Sequence, residues 1–176
     1  MIADKDLLSM QYARILAENA REAQKKLAGF PQEKLDQIVE HVAGEMEKHA
    51  RELAVMSFEE TDYGRWQDKL IKISFVCRSV LRGLRGMRCV GTLREDAGGN
   101  VLEVGVPLGV IVALCPSTSP VSTAIYKALL AIKSGNAIIF SLHPRAVRCM
   151  KRTLDLLIAA AEECGLPEGC VSYLAT

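Results

Sequence analysis

Several features that define large classes of protein are missing from this sequence of 176 residues. No apolar run approaches the roughly 18 residues of a membrane-spanning helix. The first residues, MIADKDLLSM, have neither the basic start nor the apolar core of a secretion signal. Basic residues outnumber acidic ones by only 22 to 21, so charge gives no reason to expect a nucleic-acid partner. We therefore expect a cytoplasmic protein with no nucleic-acid and no membrane partner.

Cysteine is present, but not in the paired spacings that metal sites and redox motifs use. There are six cysteines, no CxxC spacing and only three histidines. Without a sign of export to an oxidising compartment, reduced and largely buried thiols are a better interpretation than disulfides. We also predict no metal site. The cysteines are Cys77, Cys89, Cys115, Cys149, Cys164 and Cys170.

Apolar residues make up 49% of the chain and charged residues 24%, and the mean hydropathy is +0.14. These values are typical of a folded globular protein, and the length suits one domain, or one domain with part of another. An apolar surplus in a chain this short suggests a surface that another subunit or another domain covers.

Residues 1–92 show the three-to-four-residue spacing of apolar side chains that predicts amphipathic helices packed on a core. A first helix ends at Gly29. A second helical region starts at Pro31, which suits a first helical turn, and closes at Gly64; a third helix follows. The three apolar faces contain Leu8, Tyr12, Leu16, Ala20, Ala23 and Leu27; Leu35, Ile38, Val39, Val42, Met46 and Leu53; and Trp66, Leu70, Ile73, Cys77, Val80 and Leu84.

Charged residues are concentrated near and on the third helix. Its polar faces are strongly basic, which suits phosphate binding, although a solvated face or pairing with acidic residues elsewhere is the simpler interpretation. Just before it, Glu59, Glu60 and Asp62 have no evident partner, and we expect them to be solvated at a helix end. The basic residues are Lys69, Lys72, Arg78, Arg82, Arg85 and Arg88.

The periodicity changes after residue 92. Residues 93–105 predict a β-hairpin with its turn at Asp96–Asn100. Residues 106–176 then alternate apolar strands and helices as β-α-β-α-β, which predicts a parallel sheet with right-handed crossovers. The continuous run GVIVALC is typical of a parallel strand covered on both faces. The later elements are a helix over 121–133, a strand over 136–140, a helix over 145–164 and a strand over 169–175.

Two turns that follow predicted strands carry the candidate binding groups. Ligands of open α/β sheets lie at such strand ends, where helix N-termini present free N–H groups. In CPSTSP, Ser119 suits an N-cap and Pro120 the first helical position. In SLHPRA, Pro144 suits the start of the next helix, between His143 and Arg145. From spacing alone, a phosphate-bearing ligand and ordinary helix capping fit these turns equally well.

No catalytic nucleophile is evident from the residues. Cys115 approaches a helix N-terminus, a position that lowers the pKa of a thiol. Its place at the end of the run VALC is nevertheless that of a buried strand residue, which is the interpretation we adopt.

The same segments resemble the aldehyde dehydrogenase superfamily, specifically its CoA-acylating branch. Residues 107–146 are similar to the first part of the cofactor-binding domain, where acylating relatives carry P-[ST]-T-N-P in the first turn and S-P-H-P-R-A in the second. EETDYGRWQDKLIK is similar to their segment E-E-T-G-x-G-x-x-x-D-K-x-x-K, and GTLREDAGGNVLEVGVPLGVI resembles the hairpin before the first strand. The likeness covers the chain from about Asp4. The branch contains acetaldehyde and propionaldehyde dehydrogenases, some from bacterial microcompartments, and the aldehyde half of aldehyde-alcohol dehydrogenases.

The resemblance implies a reaction in which an aldehyde, CoA and NAD give acyl-CoA and NADH through a cysteine thioester, and it implies dinucleotide binding without a glycine-rich fingerprint. It also implies a homo-oligomeric full-length protein in the cytoplasm, inside a microcompartment or outside one. The identity of the aldehyde and the choice between NAD and NADP stay open. By match to the first turn, the nucleotide would be lined by Leu114, Cys115, Pro116, Ser117, Thr118 and Ser119; Ser141, His143 and Arg145 would lie near its adenosine end or the CoA phosphates.

Three departures from the family pattern affect the chemistry. Thr118 stands where hydrolytic members have an oxyanion-binding asparagine, and Ser119 where acylating relatives usually have asparagine, so an oxyanion or positioning role here would use hydroxyls instead of amides. Ser141 replaces the lysine that holds the adenine ribose in hydrolytic members, a change that acylating relatives share. The catalytic cysteine and catalytic domain of the family lie beyond residue 176.

The sequence thus predicts an α/β protein: an N-terminal helical region (1–92), a hairpin (93–105) and the first half of a Rossmann-like, NAD-binding domain (106–176). We expect an N-terminal fragment of an acylating dehydrogenase that is inactive by itself. The alternative is a non-catalytic assembly module that pairs with full-length subunits through its hairpin and exposed sheet edge. A relative of glutamyl-phosphate reductase is a weaker third interpretation, which the turns PSTSP and HPRA disfavour.

Overall fold

The computed structural model describes residues 5–96 and 98–174. Residues 1–4 of the predicted helical region, Ala97 of the predicted turn and Ala175 of the last predicted strand lie outside them. The helices are α1 (Lys5–Leu27), α2 (Gln32–Lys48), α3 (Ala50–Thr61), α4 (Trp66–Ser74), α5 (Leu81–Leu84), α6 (Pro120–Lys133) and α7 (Val147–Glu163), with a π-helical segment, Phe75–Val80, between α4 and α5. The strands are β1 (Gly91–Glu95), β2 (Leu102–Gly105), β3 (Val110–Leu114), β4 (Ala137–Ser141) and β5 (Val171–Leu174).

The two predicted sheets are confirmed. Strands β1 and β2 form an antiparallel pair, the predicted hairpin. Strands β3, β4 and β5 form a parallel sheet in that spatial order. The central strand β4 is the most buried, and Phe140 in it is fully buried. Helices α6 and α7 pack on each other and on α2, which places the main core between the N-terminal helices and the parallel sheet.

Strand β3 departs from the expectation that both of its faces are covered. Val112 is 66% exposed and Leu114 is 68% exposed. The reason is topological: β3 is the edge strand, with only β4 beside it in the described residues, and α1 lies mainly against β4 and β5. The residue pattern of β3 is therefore that of a covered strand, but the surface that it presents is open and apolar.

The second helical region is two helices rather than one. His49, with φ −93° and ψ 0°, separates α2 from α3. This change of direction lets Met46 and Leu53, on different helices, both be fully buried. The region closes as predicted, because Asp62 ends α3 in the left-handed conformation and Gly64 follows at φ +68°.

Helix α1 packs on the core through only part of its apolar face. Ala20 and Leu27 are fully buried, whereas Leu8 is 63% and Tyr12 45% exposed. The buried part lies against the parallel sheet, and Gln24 there donates a hydrogen bond to the carbonyl oxygen of Gly135 at 3.2 Å. The prediction of a core-packing helix is thus confirmed for its C-terminal half.

Three of the six basic residues of the third helical region pair with acidic residues of α2, as one of the two simple interpretations predicted. Lys72 and Arg82 are exposed, as the other interpretation predicted. Lys69 is the exception to both interpretations, because it is buried without an acidic partner among the described residues. The ion pairs with α2 are Arg78–Glu47 at 2.6 Å, Arg85–Glu40 at 2.9 Å and Arg88–Glu33 at 2.6 Å.

Candidate functional site

The parallel sheet brings the two predicted turns side by side. Leu114, the last residue of β3, lies opposite Ser141, the last residue of β4. The segments 115–119 and 142–146 therefore leave the sheet at the same edge, and α6 and α7 begin directly after them. Adjacent strand ends followed by helix N-termini are where open α/β sheets bind ligands.

The first turn starts α6 as predicted, but its hydroxyls are not used as caps. Ser119 occupies the N-cap position before Pro120 and makes no side-chain bond to a helical N–H; its Oγ lies 3.4 Å from Oγ1 of Thr123. Thr118 is exposed and Ser117 half-buried, and within the described residues neither hydroxyl makes a hydrogen bond. The turn therefore presents free hydroxyl groups beside a helix N-terminus.

The second turn differs from the expectation that Pro144 begins a helix. Helix α7 starts three residues later, at Val147. A tight turn comes first, because His143 accepts two bonds: its Nδ1 from the N–H of Arg145 at 3.1 Å, and its carbonyl oxygen from the N–H of Ala146 at 2.8 Å. The turn holds the Arg145 side chain at an exposed position.

The N-terminus of α7 is closed by a carboxylate from another helix. Oε1 of Glu60, on α3, accepts the N–H of Arg148, and Oε2 accepts the N–H of Cys149, both at 2.7 Å. Burial by itself raises the pKa of Glu60, but the two N–H bonds and the nearby Arg148 outweigh it, so the net pKa lies below the usual range. The expectation that Glu60 is solvated is wrong; Glu59 and Asp62 are exposed.

Because of this cap, the N-termini of α6 and α7 differ in their capacity to bind an anion. A carboxylate already accepts the N–H groups of Arg148 and Cys149 at the start of α7, and its charge repels a second anion. At α6 no carboxylate plays this part among the described residues. The first turn is therefore the more favourable of the two for an anionic group, while the second turn has Ser141 and His143 half-buried and Arg145 exposed.

Lys69 is a site residue that sequence reasoning missed. It is 7% exposed, and its Nζ donates a hydrogen bond at 3.0 Å to the carbonyl oxygen of Thr118, which anchors the first turn to α4. Burial lowers the pKa of Lys69. The available signal was its spacing, three residues after Trp66 and four before Ile73 on the apolar face. A cavity of about 10 Å³ beside it is lined by Ser57, Lys69, Lys72, Ile73, Ser119, Val121 and Ser122.

Cys115 has the properties of a buried core residue, as expected. It is 6% exposed, and burial raises the pKa of its thiol more than the nearby Lys127 lowers it. A thiol of this kind is protonated at neutral pH and is a poor nucleophile. All six cysteines are free, and the predicted burial is complete for four of them and partial for Cys89 and Cys164.

A parallel sheet with helices between its strands, and with two turns side by side at one edge, defines a Rossmann-like α/β protein. Comparison with known proteins identifies the family to which it belongs. The model of the aldehyde dehydrogenase family matches residues 2–176, and the chain belongs to that family. Within the described residues no helix is long and apolar enough to cross a membrane.

Proteins similar to the chain include an aldehyde-alcohol dehydrogenase and an acetylating aldehyde dehydrogenase. It is 36% identical over 146 residues to aldehyde-alcohol dehydrogenase 2 of Entamoeba histolytica, covering 82% of this chain and 17% of that protein. An acetylating aldehyde dehydrogenase from Geobacillus thermoglucosidasius is 38% identical with a TM-score of 0.95, over 99% of this chain and 39% of that one. A probable aldehyde dehydrogenase from Listeria monocytogenes EGD-e is 45% identical with a TM-score of 0.94, over 97% of this chain and 38% of that one. The chain thus spans well under half the length of these relatives.

Proposed function

We propose that this chain is the nucleotide-holding part of a CoA-acylating aldehyde dehydrogenase. The reaction is aldehyde plus CoA plus NAD⁺ to acyl-CoA, NADH and a proton: the aldehyde carbon is oxidised, and the nicotinamide takes the hydride. The acetylating relative, 38% identical over 99% of this chain, supports the reaction class. The observation that best supports the nucleotide role is the pairing of Leu114 with Ser141, because it places two turns that carry hydrogen-bond donors next to each other.

The residues present fit a dinucleotide. Leu114 and Cys115 end the strand, and after Pro116 the free hydroxyls of Ser117 and Thr118 precede the α6 N-terminus, a favourable place for a phosphate group. Ser119 stands at the helix cap itself. NAD, when bound, supplies the hydride acceptor. In this chain Thr118 and Ser119 would position the reacting carbonyl or its oxyanion with hydroxyl or N–H donors.

The second turn would serve the adenosine end or the CoA phosphates. Ser141 and His143 are half-buried at the strand end, and Arg145 is exposed. A guanidinium is permanently cationic and suits phosphate oxygens. Because Glu60 already accepts the N–H groups of Arg148 and Cys149, a phosphate bound here would rely mainly on the side chains.

We propose that the chain alone does not turn over an aldehyde. Covalent catalysis in the family needs a cysteine thiolate, and burial raises the pKa of Cys77, Cys149 and Cys170 to about 12. Burial also raises that of Cys115. The nucleophile is proposed to lie in the part of the relatives that this chain does not span.

Enzyme assays test this proposal directly. The native gene product, purified from its source, is supplied with acetaldehyde, CoA and NAD⁺, and NADH formation is followed at 340 nm; the 176-residue chain is assayed in parallel. We expect CoA-dependent turnover by a native product heavier than 19.2 kDa and none by the chain. Turnover by the isolated chain would overturn the proposed division of labour, and a native product that needs no CoA would overturn the reaction.

A second candidate function is a non-catalytic assembly module. The open edge of β3 favours it, together with a groove of about 250 Å³ that Val112, Lys127 and Leu130 help to line. In the hairpin, Leu93, Leu102 and Val104 are also exposed. Co-purification of the 19.2 kDa chain with a longer dehydrogenase subunit would favour this function. The same surfaces would serve homo-oligomer contacts in a full-length protein, whose cytoplasmic or microcompartment location stays a prediction.

A further inference from the structure

Lys69 is a buried cation for which the described residues provide no carboxylate. In the part of the chain that the structure describes, its one hydrogen-bond acceptor is the backbone carbonyl oxygen of Thr118, at 3.0 Å. Lys72, one turn further along α4, lines the same small cavity and adds positive charge. A buried ammonium without a counter-ion costs stability, and the positive end of the α6 dipole nearby adds to the cost. Residues that cost stability and lie at a ligand site are candidates for function.

The bond from Lys69 sets the orientation of one peptide group. The described residues contain no cis peptide bond, so the C=O of Thr118 and the N–H of Ser119 point in opposite directions in one plane. Because the carbonyl points at Lys69, the N–H of Ser119 points away from it. That N–H has no hydrogen-bond acceptor among the described residues, and Pro120 after it has no N–H at all.

We propose that Lys69 is a positioning residue: by holding the carbonyl of Thr118, it keeps the N–H of Ser119 turned toward the bound dinucleotide. This rests on the proposed nucleotide function. Lys69 does not itself touch the ligand; it acts through the peptide between Thr118 and Ser119. Without it the peptide is free to rotate, and a carbonyl oxygen then faces an anionic ligand where an N–H had been.

The test uses three variants of the 176-residue chain. Lys69→Met removes the donor and the charge but keeps an unbranched side chain only one atom shorter. Lys69→Arg retains both. Lys72→Met is the matched control, since it removes the same charge from the same helix but leaves the bond to Thr118 intact. Each variant is compared with the wild type by thermal unfolding, by ¹H–¹⁵N spectra and by titration with NADH, read through energy transfer from Trp66, the only tryptophan.

The Lys69→Met variant should shift the amide resonance of Ser119 and weaken NADH binding by about tenfold, the effect of losing one hydrogen bond to a charged group. Its melting temperature should stay equal or rise, because a buried charge has been removed. Lys69→Arg should restore much of the NADH affinity, and Lys72→Met should leave the Ser119 resonance in place. A purely structural lysine would instead lower the melting temperature without this selective change.

The outcomes separate this inference from the proposed function. If the wild-type chain binds NADH and Lys69→Met binds it equally well, the positioning role is overturned and the nucleotide site stands. An unchanged Ser119 resonance in Lys69→Met overturns the positioning role whether or not NADH binds. If the wild type binds no NADH, the proposed nucleotide function and the inference that rests on it are both overturned.

Discussion

The carboxylate of Glu60 lies 2.7 Å from the backbone nitrogen of Cys149, so a side chain of α3 caps a helix that begins almost ninety residues later in the chain. The second oxygen of the same carboxylate accepts the neighbouring N–H of Arg148. Ala146, the N-cap residue of α7, makes no side-chain cap of its own. The contact therefore joins the N-terminal helices to the nucleotide-type sheet and decides which helix N-terminus stays free for a ligand.

Replacing this cap should destabilise the chain. Glu60→Gln keeps the shape but loses the charge and one of the two acceptors, and we expect the free energy of unfolding at pH 7 to fall by about 1 kcal/mol. Glu59→Gln, a change at an exposed neighbour, is the control and should alter it by less than about 0.5 kcal/mol. Urea unfolding of the three proteins measures both. Equal effects of the two substitutions would contradict the capping role.

The same cap predicts a pH dependence. The pKa of Glu60 is lower in the folded chain than in the unfolded chain, where it is about 4.3, so its contribution is complete above that value and is lost as the pH falls through the lowered folded pKa. The stability difference between the wild type and Glu60→Gln should therefore be constant from pH 7 to about 5 and shrink at lower pH. A difference that grows on acidification would show that the carboxylate is not stabilised by folding.

Two ion pairs of the chain should differ strongly in their contribution to the free energy of unfolding. Nζ of Lys133 lies 2.6 Å from Asp36, and the Lys133 side chain is 3% exposed. Asp36→Ala leaves a buried charge unpaired and should cost about 3 kcal/mol of unfolding free energy. Glu40→Ala breaks the exposed pair with Arg85 and should cost less than about 1 kcal/mol. Chemical denaturation distinguishes them, and comparable losses would mean that the buried pair is more hydrated than the geometry indicates.

Two glycines should respond to alanine in opposite directions. Gly135 has φ +69°, and a Cβ there would lie 2.9 Å from Cγ of Pro107, so Gly135→Ala should cost about 1–3 kcal/mol. Gly44 lies within α2 with nothing within 4 Å of an added Cβ, so Gly44→Ala should stabilise by about 0.5–1 kcal/mol. Melting temperatures measured by circular dichroism should fall for the first variant and rise for the second. The same sign for both would contradict the backbone assignment.

The hydroxyl of Thr118 should matter for nucleotide affinity but not for stability. Thr118 is exposed, and its hydroxyl makes no hydrogen bond within the described residues. On the proposed function, Thr118→Val should weaken NADH binding about threefold to tenfold, the range for one neutral hydrogen bond. Thr92→Val, the same exchange at an exposed hairpin position, is the control for both affinity and melting temperature. Unchanged affinity in Thr118→Val would remove this hydroxyl from the site.

Local signals in the sequence were sufficient for most element ends. Gly29 and Gly64 close helical regions, and Ser119 with Pro120 starts α6, because each depends on the conformation of one or two residues. The neighbouring positions of the two turns were also predictable, since adjacent parallel strands end at the same edge of a sheet. No such local signal marks His49, where the second helical region divides.

The remaining features depend on contacts between distant segments. Glu60 looks like a surface charge in the sequence, yet it caps α7. The spacing of Lys69 places it on the apolar face, but no local signal names its partner, the carbonyl of Thr118, 49 residues away. Pairings of this kind appear only when the helices are packed. The exposure of Val112 has the opposite cause: its strand has the composition of a covered one, but it is the edge strand, and the described residues leave Val112 66% exposed.

The most direct test of the central claim is a titration of the ¹⁵N-labelled chain with NADH, followed by ¹H–¹⁵N chemical shifts. Saturable changes are expected at the amides of residues 114–119, with accompanying changes at 141–145. No change at millimolar NADH, or changes confined to the hairpin and the N-terminal helices, would contradict the assignment of the first turn as a dinucleotide site.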